Sequence, residues 1–131
     1  MPAAYGESSE KVVSRCAALP QAGSLDASDP EVGTGASGSV ASGDYVRIQV
    51  RVLRGSIRQA RFKAFGCSGS IASASLASEW AEGKTLEDAE AMREDDLAAA
   101  LELSAGRRHC SALAEEALKG AIRDYRRKHS R

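Results

Sequence analysis

Two cysteines stand where a folded chain makes sulfur reactive. Cys67 lies in Phe65-Gly66-Cys67-Ser68-Gly69-Ser70, between an expected strand and an expected helix, and Cys110 follows His109 directly at the opening of the last expected helix. The unpaired amides and positive pole of a helix N-terminus favour thiolate over thiol, whose ordinary pKa is about 8.5. Thiolates are the nucleophiles of sulfur chemistry and the ligands of soft metals. Upstream, Ser42-Gly43-Asp44 sets a hydroxyl and a carboxylate in a small-residue bend at the head of a strand. Ser42 is either turn punctuation or a residue standing where a reactive group belongs. The third cysteine, Cys16, falls within a helical stretch and reads as structural.

Spacing alone leaves the chemistry open. The chain has no CxxC or HxxxH pair, and the candidates are spread from Ser42 to Cys110. A metal site, a thiol site and plain surface roles all remain; His109 by itself reads as a hydrogen-bonded surface histidine, and His129, in the basic tail, as solvated. An independent Cys-His thiol enzyme is disfavoured, because His109 and Cys110 are adjacent in sequence and would need an unusual geometry to exchange a proton.

The elements that must carry these residues read as follows. SEKVVSRCAAL, from Ser9, is expected to form a short helix with Val12, Val13, Cys16 and Leu19 along one side, stopped by Pro20. The Gly/Ser-rich stretch 21–44 reads as loop with an irregular edge strand. Over 45–53, Val46, Ile48, Val50 and Val52 alternate with Arg47, Gln49 and Arg51, which predicts a strand with one buried and one wet face. A turn at Gly55 and Ser56 returns the chain through Ile57 to Phe65 as the second arm of an antiparallel hairpin. Helical composition then takes over, with helices expected over Ile71–Glu82, from Thr85 (capped by a Thr85/Asp88 box) to about Met92, over Asp95–Leu101, and from near Ser111 onward. The last carries Leu113, Ala117, Leu118, Ala121, Ile122 and Tyr125 as its apolar stripe. Strands first and helices after predict an α+β fold: a small antiparallel sheet of about three strands, helices packed on one face, and a long C-terminal helix. The expected organisation is a single domain over 9–128 with flexible tails at 1–8 and 129–131.

At 131 residues the chain fits one domain, and its 18 basic and 18 acidic residues argue against a nucleic-acid surface as the main function. Arg126-Arg127-Lys128 reads as a solvated helix end complementing the dipole. No apolar run approaches the about 18 residues that span a bilayer, and MPAAYGESSE lacks a charged start followed by an apolar core. Three cysteines without an export signal fit reduced thiols, so the expectation is a cytoplasmic protein with neither nucleic acid nor membrane as partner.

The stretches SEKVV (9–13), GSLD (23–26), VGTG (32–35), GDYVRIQVRV (43–52), ARFKAFGC (60–67), IASASLASEWAEGKTLEDA (71–89) and HCSALAEEALKGAIRDY (109–125) come in an order and spacing that resemble the IscU/NifU-type iron-sulfur cluster assembly scaffolds. The resemblance runs from about Ser9 to Tyr125. It implies a scaffold, not an enzyme, on which iron and sulfide are assembled into a transient 2Fe-2S cluster, with sulfur arriving as a persulfide from a cysteine desulfurase and the cluster passing to recipient apoproteins. It also implies roles: Cys67, Cys110, His109 and Asp44 as ligands of the cluster, of iron or of zinc, and Cys110 as persulfide acceptor.

Two departures qualify it. Ser42 occupies the place of the family's first cysteine, in its Cys-Gly-Asp motif, and a serine hydroxyl is a poor ligand for iron or zinc at neutral pH. Leu103 to Arg107 reads Leu-Ser-Ala-Gly-Arg where scaffolds of this type carry the Leu-Pro-Pro-Val-Lys segment that binds the assembly chaperone. Chaperone-assisted delivery is therefore not implied. The alternative reading is a divergent scaffold-fold protein without a stable cluster, acting as a zinc-binding sulfur acceptor or a regulator of the desulfurase.

Overall fold

The computed structural model describes residues 9–19, 21–39 and 41–129. The expected tail at 1–8, the Pro20 helix stop and the last two residues of the expected C-terminal tail lie outside them. Alternation of β-branched residues with arginine makes Asp44–Leu53 the central strand, β2. It pairs antiparallel with β1 (Val32–Ser39) on one side and β3 (Ser56–Phe65) on the other. The β2–β3 register sets Val46 opposite Ala64, Ile48 opposite Phe62, Val50 opposite Ala60 and Val52 opposite Ile57, so apolar side chains meet across the strands on one face. The reversal is the pair Arg54-Gly55, both at positive φ (56° and 79°), and Ser56 already belongs to the strand.

β1 is a full eight-residue strand where the sequence reads as mostly loop. Its glycines explain both the disguise and the strand. A Cβ on Gly33 would collide with the Ala121 carbonyl and one on Gly35 with the Ala117 carbonyl, so bare backbone is what lets the last helix lie against this edge. That helix, α5 (Arg108–Lys128), packs on β1 and β2, while α2 (Ser68–Ala81) packs on β3 and β2. Both therefore cover one face of the sheet, with α1 (Glu10–Cys16), α3 (Leu86–Glu90) and α4 (Glu94–Leu101) at their margins. Ile48, Val50, Ile57, Phe62, Leu76, Leu118 and Ile122 form the centre of the core.

Several local expectations are corrected. Val13 is 59% exposed, so only Val12 of its pair is core. Gln49, expected on the wet face, is fully buried: the 21–31 segment crosses there, the Leu25 N–H donates to Gln49 Oε1 (2.8 Å), and Gln49 Nε2 donates to Thr34 Oγ1 (3.0 Å). The outer edge of β3 is sealed by Gln21 and Gly23 against Phe62 and by Gly83 and Lys84 against Ile57, which removes an open strand edge. The basic C-terminal run is not simply solvated. Lys128 Nζ donates to the carbonyls of Ala27 (2.8 Å), Asp29 (3.2 Å) and Val32 (2.7 Å), and Arg126 pairs with Glu90 at 2.6 Å. α2 begins at Ser68 and α5 at Arg108, each three residues before its expected start, and this sets the positions of both cysteines. Thr85 caps α3 as expected, accepting from the Asp88 N–H at 3.1 Å. Among the described residues no helix is long and apolar enough to cross a membrane.

Candidate functional site

Three element termini meet at one end of the sheet: the first residue of β2, the β3–α2 junction and the first turn of α5. They bring Asp44, Cys67, His109 and Cys110 into a continuous line of contacts. Cys67 Sγ lies 3.3 Å from Cys110 Sγ, Cys110 Sγ lies 3.6 Å from His109 Nε2, and His109 Nε2 lies 3.5 Å from Asp44 Oδ2. The line closes on itself through the other carboxylate oxygen, since the Cys67 N–H donates to Asp44 Oδ1 at 3.2 Å. Asp44 thus caps the start of α2 from a neighbouring strand, a role Cys67, the formal N-cap, does not fill with its own side chain.

Ser70 is the member of the site that sequence reading missed. Fully buried in the first turn of α2, it donates its hydroxyl to Asp44 Oδ1 (2.9 Å) and lies 3.7 Å from Cys67 Sγ. A serine three residues after an N-cap position was the available signal. Gly66 and Gly69 make room for the cluster of side chains. At Gly66, where φ is +122°, a Cβ would collide with Asp44 Oδ1 and stand 2.7 Å from the Gly43 carbonyl; at Gly69 it would stand 3.2 Å from Cys110 Sγ.

The two thiols are electrostatically unequal. Burial opposes ionisation of Cys67, but the Cys110 thiol and the N–H and hydroxyl of Ser70 outweigh it, and the pKa is lowered. For Cys110, burial dominates. The hydroxyl of Ser70 works the other way, yet adjacent Cys67 and the Asp44 charge add to burial and push the thiol up to about 12. The expectation that both cysteines are eased toward thiolate therefore holds for Cys67 alone. Cys110 is inside the first turn of α5 and turned into the core, where desolvation exceeds any benefit from the helix terminus. Asp44 keeps a lowered pKa although burial works against it, because the Cys67 N–H, Ser70 and His109 all favour the carboxylate.

Ser42 lies in the exposed turn joining β1 and β2. Its hydroxyl donates to the Ser39 carbonyl at 2.9 Å, and its own N–H donates to Ser39 Oγ at 3.0 Å, so the side chain is engaged in the turn. Cys16 sits beside the site, its Sγ 3.6 Å from the Ser68 carbonyl, with its pKa raised by burial and then by neighbouring Cys67. The Leu103–Arg107 segment ends in a 3-10 turn, Ala105–Arg107, with Leu103 packed on the core. His129, expected to be solvated, is exposed at the C-terminus of α5.

The donor set, two thiols, an imidazole and a carboxylate, suits iron or zinc. It is not a finished cage. Among the described residues no group of three or more His, Cys, Asp or Glu stands ready around a metal ion, because the donors form a line and Asp44 Oδ1 is held by the head of α2.

Residues 7–131 match the family described as the NifU-like N terminal domain. The chain is 47% identical over 121 residues to the iron-sulfur cluster assembly scaffold protein IscU of Azotobacter vinelandii, covering 92% of this chain and 94% of that protein. It is 46% identical over 121 residues to IscU of Escherichia coli (strain K12), with the same coverage. Among solved structures, a SUF-system scaffold protein from Fervidobacterium islandicum AW-1 superposes with a TM-score of 0.70 at 19% identity, covering 87% of this chain and 95% of that one. A nitrogen-fixing NifU-like N-terminal protein from Brucella abortus superposes with a TM-score of 0.68 at 16% identity, covering 92% and 94%. At such identities the structural likeness concerns the fold, an α+β sandwich of a three-stranded sheet and helices, whereas the sequence match decides the family. This chain belongs to the family of the NifU-like N terminal domain.

Proposed function

We propose that this protein is an iron-sulfur cluster assembly scaffold, receiving sulfur from a cysteine desulfurase, holding iron and sulfide as its cargo, and passing the cluster to apoproteins. The observation that carries the reading is the meeting of Cys67, Cys110, His109 and Asp44 at one end of a fold whose sequence is 47% identical to a scaffold over 92% of its length. Its work is to bind and hand over, not to turn over a substrate. Cys67 and Cys110 would supply thiolates to iron, His109 Nε2 the imidazole, and Asp44 Oδ2 the carboxylate oxygen that the head of α2 leaves free. Ligands must be deprotonated, so cargo binding weakens as pH falls. A 2Fe-2S cluster is the cargo that this donor number fits, with zinc as the competing ion.

Sulfur acceptance engages the same thiols. The family resemblance assigns the persulfide to Cys110, whereas partial exposure and the hydrogen bonds received from Cys110 and Ser70 make Cys67 the better first nucleophile, so sulfur lands on Cys67 and Cys110, more deeply buried, is next in line. Phe65, 56% exposed and in tilted ring contact with Tyr45, provides apolar ground beside Cys67 on which a desulfurase can seat. Three free thiols suit a reducing compartment such as the cytoplasm.

One observation favours a second reading: Ser42 contributes no thiol and its hydroxyl is engaged in the β1–β2 turn. In that case the protein is a sulfur acceptor, zinc-binding module or desulfurase regulator without a stable cluster. Anaerobic reconstitution of the unaltered protein and of Ser42→Cys, with iron, a cysteine desulfurase and cysteine, separates the two. The scaffold reading expects visible absorption with iron and sulfide bound in the unaltered protein, and a longer cluster lifetime in the variant. Cluster formation by the variant alone would hand the role to the second reading.

A further inference from the structure

We propose that Cys67 and Cys110 act together as a two-electron dithiol that releases a sulfane sulfur delivered to Cys67 as free sulfide. This goes beyond holding cargo and rests on the sulfur-accepting half of the function proposed above. The pair is built for it in three respects. The sulfur atoms stand 3.3 Å apart, in contact, whereas Cys16 is turned to the Ser68 carbonyl and position 42 offers a hydroxyl instead of a competing thiol. Their exposures differ. Cys67 is partly open at the head of α2, and Cys110 is fully buried behind it, so a bulky donor reaches the first and only the sulfur on Cys67 meets the second. Gly69 leaves bare backbone under both, since a Cβ there would stand 3.2 Å from Cys110 Sγ and 3.7 Å from Cys67 Sγ. A disulfide needs the two sulfurs to close from 3.3 Å to about 2.05 Å.

The chemistry balances within the protein once a persulfide donor is supplied. The Cys67 thiolate attacks the outer sulfur of the donor, the donor thiolate leaves, and Cys67 carries the sulfur as a persulfide. Cys110 then attacks Cys67 Sγ. The bond from Cys67 Sγ to the outer sulfur breaks, and the outer sulfur departs with the bonding pair and the Cys110 proton as hydrosulfide. Two thiols lose two electrons in becoming a disulfide, and the sulfane sulfur gains them in becoming sulfide. A low-molecular-weight thiol reopens the disulfide for the next round. The sulfide is released beside His109 Nε2 and Asp44 Oδ2, where iron would be held.

The test uses the full, reduced chain under anaerobic conditions with one equivalent of glutathione persulfide. Released sulfide is quantified, and thiols are mapped by mass spectrometry after alkylation. The expected result is about one sulfide per chain and a disulfide between Cys67 and Cys110. Cys110→Ser should take up one sulfur and release it as sulfide about tenfold more slowly, while Cys16→Ser behaves as the unaltered chain. Retention of the added sulfur without a disulfide, equal release by Cys110→Ser, or a disulfide mapping to Cys16 would each overturn the proposal. Should Cys110→Ser fold poorly, oxidation of the unaltered protein with diamide decides: the Cys67–Cys110 disulfide must form first, and its absence counts against the pair. Loading with ferrous iron and lithium sulfide, without persulfide, separates the two readings. A cluster formed there without sulfide release from persulfide removes only the dithiol activity, and sulfide release without a cluster removes only the scaffold.

Discussion

Replacing Gly66 by alanine isolates how the fold holds Asp44. Gly66 has φ +122°, so any side chain first meets a backbone penalty of about 1–2 kcal/mol. The new Cβ would also collide with Asp44 Oδ1, stand 3.0 Å from Asp44 Cγ and stand 2.7 Å from the Gly43 carbonyl. The carboxylate must swing away, losing the Cys67 N–H at 3.2 Å and the Ser70 hydroxyl at 2.9 Å. Hydrogen bonds to a charged group contribute about 1.5–3 kcal/mol each, and because water reaches the partly exposed Asp44 side chain the pair falls at the low end, about 2–3 kcal/mol together. Gly66→Ala should therefore destabilise by about 3–5 kcal/mol. Gly83→Ala is the control: φ is +90° there, nothing lies within 4 Å of the added Cβ, and only the backbone penalty applies. Urea unfolding of both variants, at equal m-values, measures the difference. A gap below about 1 kcal/mol between the two would refute the claim that Gly66 is glycine because Asp44 occupies its side-chain space.

Two further outcomes follow from the electrostatics. Asp44, Glu115 and Asp124 all have lowered pKa values; for Glu115 burial opposes this, but the Lys119 ammonium at 2.7 Å and the Glu94 N–H at 2.5 Å prevail. A carboxylate with a depressed folded pKa stabilises above its unfolded pKa of about 4 and loses that contribution as pH falls through the folded value. Stability should thus decline below about pH 4, and Glu115→Gln should flatten that limb in urea titrations from pH 6 downward; an unchanged slope would remove Glu115 from the account. Iodoacetamide at neutral pH should modify Cys67 at least about tenfold faster than Cys110, which reacts only on unfolding, and equal rates in peptide mapping would contradict the burial of Cys110.

What could be read along the chain was whatever depends on near neighbours. The Val46–Val52 alternation, the Thr85 cap, the helical second half and the α+β order follow from side-chain periodicity and local hydrogen bonding, which act within a few residues. The site residues Asp44, Cys67, His109 and Cys110 were legible as types in turn and helix-start positions and through family resemblance, but not as a set in contact. Contact at a distance was decided elsewhere. β1 is a strand because α5 lies on its bare glycines, Gln49 is buried because the 21–31 segment crosses its face, and Ser70 joins the site because Asp44 arrives from another strand. The same holds for the difference between the thiols. Sequence places both near helix starts, yet only the packed structure leaves Cys67 partly in water and encloses Cys110, and the desolvation of Cys110, together with the hydrogen bonds that Cys110 and Ser70 give Cys67, sets which sulfur ionises first.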